Sequence, residues 1–522
     1  MALSYASLAS TTSKPGIVVE IGYYNGSAET TLLLSDFPNT YGYSPFLSTD
    51  IVITESLGAL TSSDLEIHNP NGEFDSYLNT TNVFVNRAVN IWIGDPTETS
   101  VANFKANGLL VFTGVIADVD ARTNTSLNFK LRNNAEKFNS ALSETLIGAT
   151  GTWGGASGTQ TNQNNLVPLV FGEVWNVAPV LIDPALLKYR FGKDADGHED
   201  VIELRDNGYP VYISPTAWTA LGLTGTRPDG AIIDLTNGTF TLKAKLAGIL
   251  TASVQGVKKS ITYGASATLS ATYKNNIAST IGVLLTQYGK ASTRLTLADL
   301  DSPKLQTFEA SNPQVVGVFF DQRINTIEAV NFLASSIGAI PVFQRDGKFT
   351  LARKGSGVAG PFINSVSLTN VILNSLSITN RTEVIGSSKL SYCTNHVPQK
   401  GLVTAIPTSN KELMEKEYLE ILNKDATTIT NYKLEAEPIL EDTALIDTAE
   451  ATAEATRRIN FDKLPRTTYT FTGDRGLLGL QLGQTFTFVA GENFRYGLAG
   501  TTKQIVNINI NWSKLLITVE VE

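Results

Sequence analysis

The sequence predicts a mainly β protein with a smaller α+β component and a β-barrel unit near each end. Three observations predict it. Short segments rich in β-branched and aromatic residues recur from "GIVVEIGYY" (Gly16–Tyr24) to "LLITVEVE" (Leu515–Glu522). Sustained helical periodicity is confined to three stretches in the second half of the chain. Charged residues make up only 17% of the 522, against about 25% for a typical soluble domain, and Thr, Asn, Ser and Gly take their place. That composition suits extended structure and surfaces covered in an assembly.

The first region, residues 1–146, reads as a β-barrel domain. "GIVVEIGYY", "AETTLLLS" and "VNIWIGD" supply strands. "LLVFTGVIADVDARTNTSLNFKLRN" (Leu109–Asn133) reads as a hairpin. Val115, Ala117 and Val119 share one face, Leu127, Phe129 and Leu131 share a face of the return strand, and Arg122 to Thr125 turn between them. "SDLEIHNPNGEFDSYL" (Ser63–Leu78) enters as a half-buried strand and stops at Asn69-Pro70-Asn71-Gly72. That stop is either an oxygen-rich ligand loop or a turn with a structural job.

Residues 147–260 read as an inserted, β-rich and irregular domain. Ile147 to Asn165 is Gly, Thr, Asn and Gln without periodicity, which predicts a flexible loop. "LVPLVFGEVWNVAPVLID" (Leu166–Asp183) is apolar and punctuated by proline, and reads as a buried irregular segment. Asn207-Gly208 and Asn237-Gly238 mark hairpin turns.

Residues 261–354 read as a small α+β domain. Ile277, Ile281, Leu284 and Tyr288 form one helical stripe ended by Gly289. Asn325 and Glu328 stand at capping-box spacing before a second stripe of Ile327, Val330, Ala334 and Ile337. A hairpin around Asp346-Gly347 follows. Residues 355–522 read as the second barrel domain with a helix at 443–461, capped by Asp442 or Thr443 and striped by Leu445, Ala449, Ala453 and Ile459. In "IVNININ", Val506, Ile508 and Ile510 alternate with Asn507, Asn509 and Asn511; Leu515, Ile517, Val519 and Val521 form the return face. The 115–131 and 505–521 hairpins share one plan, each preceded by a strand and a glycine-marked turn. That predicts a duplicated barrel unit, weighed against the fact that any two hairpins look alike.

Several chemistries are excluded. Cys393 is the one cysteine, so the chain holds no internal disulfide and no cysteine-based zinc or iron–sulfur site. It reads as a packed thiol. His68, His198 and His396 have no metal-ligand spacing, and no nucleophile elbow, P-loop or dinucleotide fingerprint occurs. "GKDADGHED" (Gly192–Asp200) is faintly like a calcium loop but lacks a third ligand position and the closing glutamate, so it reads as a solvated acidic turn. With 49 acidic residues, no carboxylate pair stands out for hydrolysis. The reading therefore names no catalytic, cofactor-binding or metal residue, and expects no enzyme and no cofactor. The net charge of −9 argues against a nucleic-acid binder held by phosphate contacts. The N-terminal stretch does not read as a signal peptide, and no apolar run is long enough to span a membrane as a helix.

"LEIHNPNGEFDSYL", "VNIWIGDP" leading to "VFTGVIADVD", "PLVFGEVWNVAPVLID", "FLASSIGAIPVFQRDGKFTLAR" and "LGLQLGQTFTFV…YGLAGTTKQIVNININWSKLLITVEVE" together resemble, in order, segments of the baseplate hub or tail-tip proteins of tailed, siphovirus-like bacteriophages. The resemblance implies two tail-tube-like β-barrel domains, an inserted β-rich segment and a small α+β domain. It implies a structural homotrimer whose six barrels make a pseudo-six-fold ring between tail tube and tail tip. The implied partners are distal tail or tube proteins, the tape-measure protein and a central fibre or receptor-binding tip. DNA would pass through the lumen without sequence-specific binding. The implied location is the virion tail tip, after synthesis in the host bacterial cytoplasm, with no membrane anchor. Two other readings remain: a secreted β-rich carbohydrate-binding or adhesin protein, and a tail-associated cell-wall hydrolase.

Overall fold

The structure is a computed structural model and describes all residues except 1–2, 11–13, 48–49, 59–61, 80, 124, 149–161, 163 and 403–407. The expected loop at Ile147–Asn165 falls largely outside the described residues. Two compact units emerge, and both are discontinuous in sequence. Unit 1 gathers Met1–Lys137, Ile340–Glu383 and Pro465–Glu522; unit 2 gathers Phe138–Ala339 and Val384–Leu464. The hairpin around Gly347 thus joins unit 1, while the helices that precede it in sequence join unit 2.

Unit 1 is built on a 13-stranded sheet. In chain order its strands are β1 (Gly16–Tyr24), β2 (Glu29–Ser35), β3 (Val52–Ser56), β4 (Ser62–His68), β5 (Ala88–Gly94), β6 (Leu109–Thr123), β7 (Ser126–Arg132), β8 (Ser365–Val366), β9 (Ser377–Arg381), β10 (Thr467–Gly473), β11 (Thr485–Phe488), β12 (Thr502–Asn511) and β13 (Leu516–Val521). Two runs within it are the same arrangement. The first is β5-β6-β7-β4-β3 and the second β11-β12-β13-β10-β9, every neighbouring pair antiparallel. Each strand of the second run stands six places later than its counterpart. A 3-10 turn separates β4 from β5 and another separates β10 from β11.

Both runs are bridged across their ends. In the first, Ser44 exchanges backbone hydrogen bonds with Leu33 and Ser35 of β2, and Phe46 O accepts from His68 N of β4 at 2.8 Å. In the second, β8 pairs in parallel with β11, and Val371 then bridges Gly473 of β10. The runs meet where β3 pairs antiparallel with β12. An apolar core runs through the unit, from Ile17, Val19 and Ile21 to Ile517, Val519 and Val521.

The strand faces correct the alternation read from sequence. Leu127, Phe129 and Leu131 of β7, and Leu515, Ile517, Val519 and Val521 at β13, enter the core as expected. The leading strands do not keep strict period two. A register shift between Ile116 and Asp118 in β6 puts Ile116 in the core in place of Ala117, and a shift between Ile505 and Asn507 in β12 puts Ile505 there in place of Val506. An extra residue on one strand of an antiparallel pair flips every later side chain to the other face.

Unit 2 holds a five-stranded antiparallel sheet in the order Tyr209–Ile213, His198–Asp206, Leu250–Val257, Leu169–Val177, Gly317–Phe320. "LVPLVFGEVWNVAPVLID" is therefore not irregular. Its centre is the strand Leu169–Val177, and the prolines stand outside, at Pro168 and Pro179, where no ladder hydrogen bond is lost. The Asn207-Gly208 turn has φ of 46° and 82°, the left-handed pair a tight hairpin requires. The helix Ile277–Gln287 is buried on every side over Ile277–Thr286, so its stripe understated its burial.

The last helix runs Thr448–Asp462 and belongs to unit 2, not to unit 1, which holds the second run. Its N-cap is Asp447, whose side chain accepts from Glu450 N at 3.0 Å, instead of Asp442 or Thr443. It packs against the strands Ser387–Tyr392 and Leu419–Lys424. The buried face is Ala451, Glu454, Ala455 and Ile459; Ala449 and Ala453 are exposed, and Leu445 is buried in the extended segment before the helix. The shift follows from Glu454: a carboxylate holds the centre of the buried face, which an apolar periodicity does not register.

Candidate functional site

The duplicated run of unit 1 is the feature with functional content, and its parts are held by local chemistry. Asn69 ends β4. Its Oδ1 accepts from Phe74 N at 2.9 Å and its Nδ2 donates to Asp75 Oδ1 at 2.8 Å. Gly72 takes φ 72°, a backbone state that costs glycine little. Phe74 drops into the core against Phe46 and Tyr77. Asn69 Oδ1 and Asp75 Oδ1 are thus engaged within the turn itself.

At the joint of the two runs, the asparagines of β12 find partners on the first. Asn509 Nδ2 donates to Thr54 Oγ1 at 2.8 Å, and Asn511 Nδ2 to Asp50 Oδ2 at 3.1 Å. Trp512, fully buried, donates its backbone N–H to Ile51 O at 2.9 Å. The tip of the 344–348 hairpin supplies Arg345, whose backbone N–H donates to Glu55 Oε1 at 3.1 Å and whose carbonyl accepts from Thr113 N at 2.8 Å. The Arg345 guanidinium lies 3.7 Å from Glu55 Oε2 and donates to Leu480 O. Glu55 and Thr113 belong to the first run; Leu480 precedes β11 of the second. One arginine therefore ties both halves. No periodicity or motif marked Arg345 or Glu55 in the sequence, because each looks like an ordinary surface charge until its partner is known.

Its structural neighbours include tail and prophage tail proteins. A tail protein from Neisseria meningitidis matches with a TM-score of 0.37 and 10% identity, over 97% of this chain and 96% of its own. A prophage tail protein from Shewanella oneidensis matches with a TM-score of 0.36 and 10% identity, over 97% and 98%. A chain in the virion of a native gene transfer agent particle matches with a TM-score of 0.41 and 12% identity, over 74% and 90%. At such TM-scores and identities the likeness assigns no role to any residue here. No protein-family model and no curated protein matches the sequence.

The residues weighed for chemistry lie apart. His68 is exposed on β4 of unit 1. His198 is buried in unit 2, with Nδ1 3.0 Å from Leu235 O, and burial holds its imidazole below the ordinary histidine value. His396 is exposed, with its ring 5.2 Å from that of Phe319. Cys393 is buried at φ 51°, and desolvation pushes its thiol up to about 11, far from a reactive thiolate. Among the described residues, no group of three or more His, Cys, Asp or Glu side chains is placed to hold a metal.

The acidic stretch Gly192–Asp200 is not a solvated turn. Asp194 pairs with the buried Arg190 at 2.8 Å, and Asp196 accepts from Lys259 Nζ and Tyr288 OH, each at 2.7 Å. Its carboxylates are engaged inside unit 2. The last helix carries a second such knot: Glu454 accepts from Arg457 and Arg458 at 2.8 Å, and Arg458 also donates to Ser335 O at 2.8 Å, at the carbonyl end of the Thr326–Ser335 helix. A cation there complements the negative end of the helix dipole.

Proposed function

We propose that this chain is the structural hub of a phage tail tip, acting as a homotrimer in the virion. The observation that carries this reading is the duplication: the order β5-β6-β7-β4-β3 returns as β11-β12-β13-β10-β9 within one unit. A chain with two like halves lets three copies present six like surfaces, so a three-fold object can continue a six-fold tube. The low charge content fits surfaces covered between copies. Its partners in this reading are distal tube proteins, the tape-measure protein and a central fibre or receptor-binding tip. DNA passes a lumen lined by Asp, Glu, Asn and Thr, in keeping with the net charge of −9.

Sedimentation of the purified chain, followed by a density map at side-chain resolution, tests it. Three times the chain mass of 56.1 kDa, arranged as a ring with both halves facing the lumen, is the expected result. A monomer, a hexamer, or a lumen studded with arginine overturns it. The role is non-enzymatic, so purified protein leaves host peptidoglycan intact; lysis abolished by one carboxylate substitution favours the hydrolase instead.

A further inference from the structure

We propose that a cleft in unit 2, walled by Tyr288, binds a phosphate group. The cleft has a volume of about 300 Å³ and is lined by the segment 141–145, Lys193, the segment 288–290 and Arg294. Three cations, Lys193, Lys290 and Arg294, line it with one carboxylate, Glu144. That local excess of positive charge stands out in a chain of net charge −9.

The wall is rigid. Tyr288 is buried, its hydroxyl is fixed by Asp196 at 2.7 Å, and its ring meets Phe171 edge-on at 4.9 Å. Lys193 and Lys259 each hold an ammonium 5.8 Å from the ring centroid. They differ in what neutralises them. Asp196 takes Lys259, and the neighbouring Asp194 is taken by Arg190, so among the described residues no carboxylate pairs with Lys193. Among the described residues Lys290 pairs with Glu144 alone, at 4.0 Å, with both side chains more than half exposed; such a pair is loose. Arg294 donates to Tyr288 O and Gly289 O, which offsets the carbonyl end of the Ile277–Gln287 helix and fixes the guanidinium beside the cleft. An ammonium on a rigid wall, a second on a loose pair and a positioned guanidinium suit a compact, multiply charged oxyanion. The size admits a phosphate ester and excludes a duplex or an extended strand.

The inference is independent of the trimer reading, because the cleft lies within one unit of one chain. Its test is calorimetric titration of the full-length chain with inorganic phosphate, pyrophosphate and glycerol phosphate, with acetate as the carboxylate control. Saturable binding of the phosphate probes, weakened by salt and not shared by acetate, is expected. Glycerol phosphate binding as well as pyrophosphate assigns the site to phosphate esters; pyrophosphate alone assigns it to free polyphosphate. The double variant K193A/K290A should weaken binding by about tenfold or more. Glu144→Gln should tighten it, a gain that a misfolded variant cannot produce. No saturable binding to the unmodified chain, equal binding by K193A/K290A, or weaker binding by Glu144→Gln overturns the proposal.

Discussion

Arg345 and Glu55, 290 residues apart in sequence, form a buried ion pair inside unit 1, each side chain 3% exposed. The arginine arrives from a hairpin tip and the glutamate from β3, the strand that pairs with β12. The pair therefore sits where the two similar runs join.

Removing one partner should strand the other charge in the core. Arg345→Met or Glu55→Gln alone is expected to cost about 3–5 kcal/mol, and the double variant R345M/E55Q less than the sum of the two. Denaturant unfolding of the four proteins closes the cycle. Additive costs would show that the two side chains are energetically independent.

Asn69 is expected to matter for stability and for nothing else in the turn. Asn69→Ala leaves the buried Phe74 N–H without its acceptor, at a cost of about 1–3 kcal/mol. Thermal melting reads this out. A melting temperature raised by added calcium, and lost in Asn69→Ala, would make the turn a ligand loop after all.

The face of the last helix gives a paired test. Ala455 is fully buried and Ala453 exposed. Ala455→Trp should destabilise by about 1–3 kcal/mol through overpacking, while Ala453→Trp leaves melting unchanged. The opposite order would restore the phase read from the sequence.

Stability should fall on mild acidification through the buried His198. Burial lowers the folded-state value of His198, so the unfolded chain, titrating near pH 6.5, binds more protons just below that point. Stability therefore rises with pH across the window below about 6.5 and is lost as pH falls through it. Asp196 favours the charged form of His198, while Arg190 and Lys259 oppose it. His198→Gln should flatten the pH dependence of unfolding free energy between about pH 7.5 and 5.5. Identical slopes in both proteins would remove His198 from the account.

The sequence by itself determined the β-rich class, the return strands β7 and β13, the Asn207-Gly208 turn and the capping of the helix at Asn325. Each of these is written in neighbouring residues: alternation, turn chemistry and caps act over a few positions. Tertiary structure decided the rest. The bulges in β6 and β12 depend on the partner strand, so Ile116 and Ile505 could not be chosen by period alone. Glu454 entered a buried face because Arg457 and Arg458 meet it there. Arg345 left the helices beside it in sequence and joined unit 1 because Glu55 and the Leu480 carbonyl were waiting 290 and 135 residues away. A buried charge is costly until its partner arrives, and a partner that distant leaves no trace in local sequence.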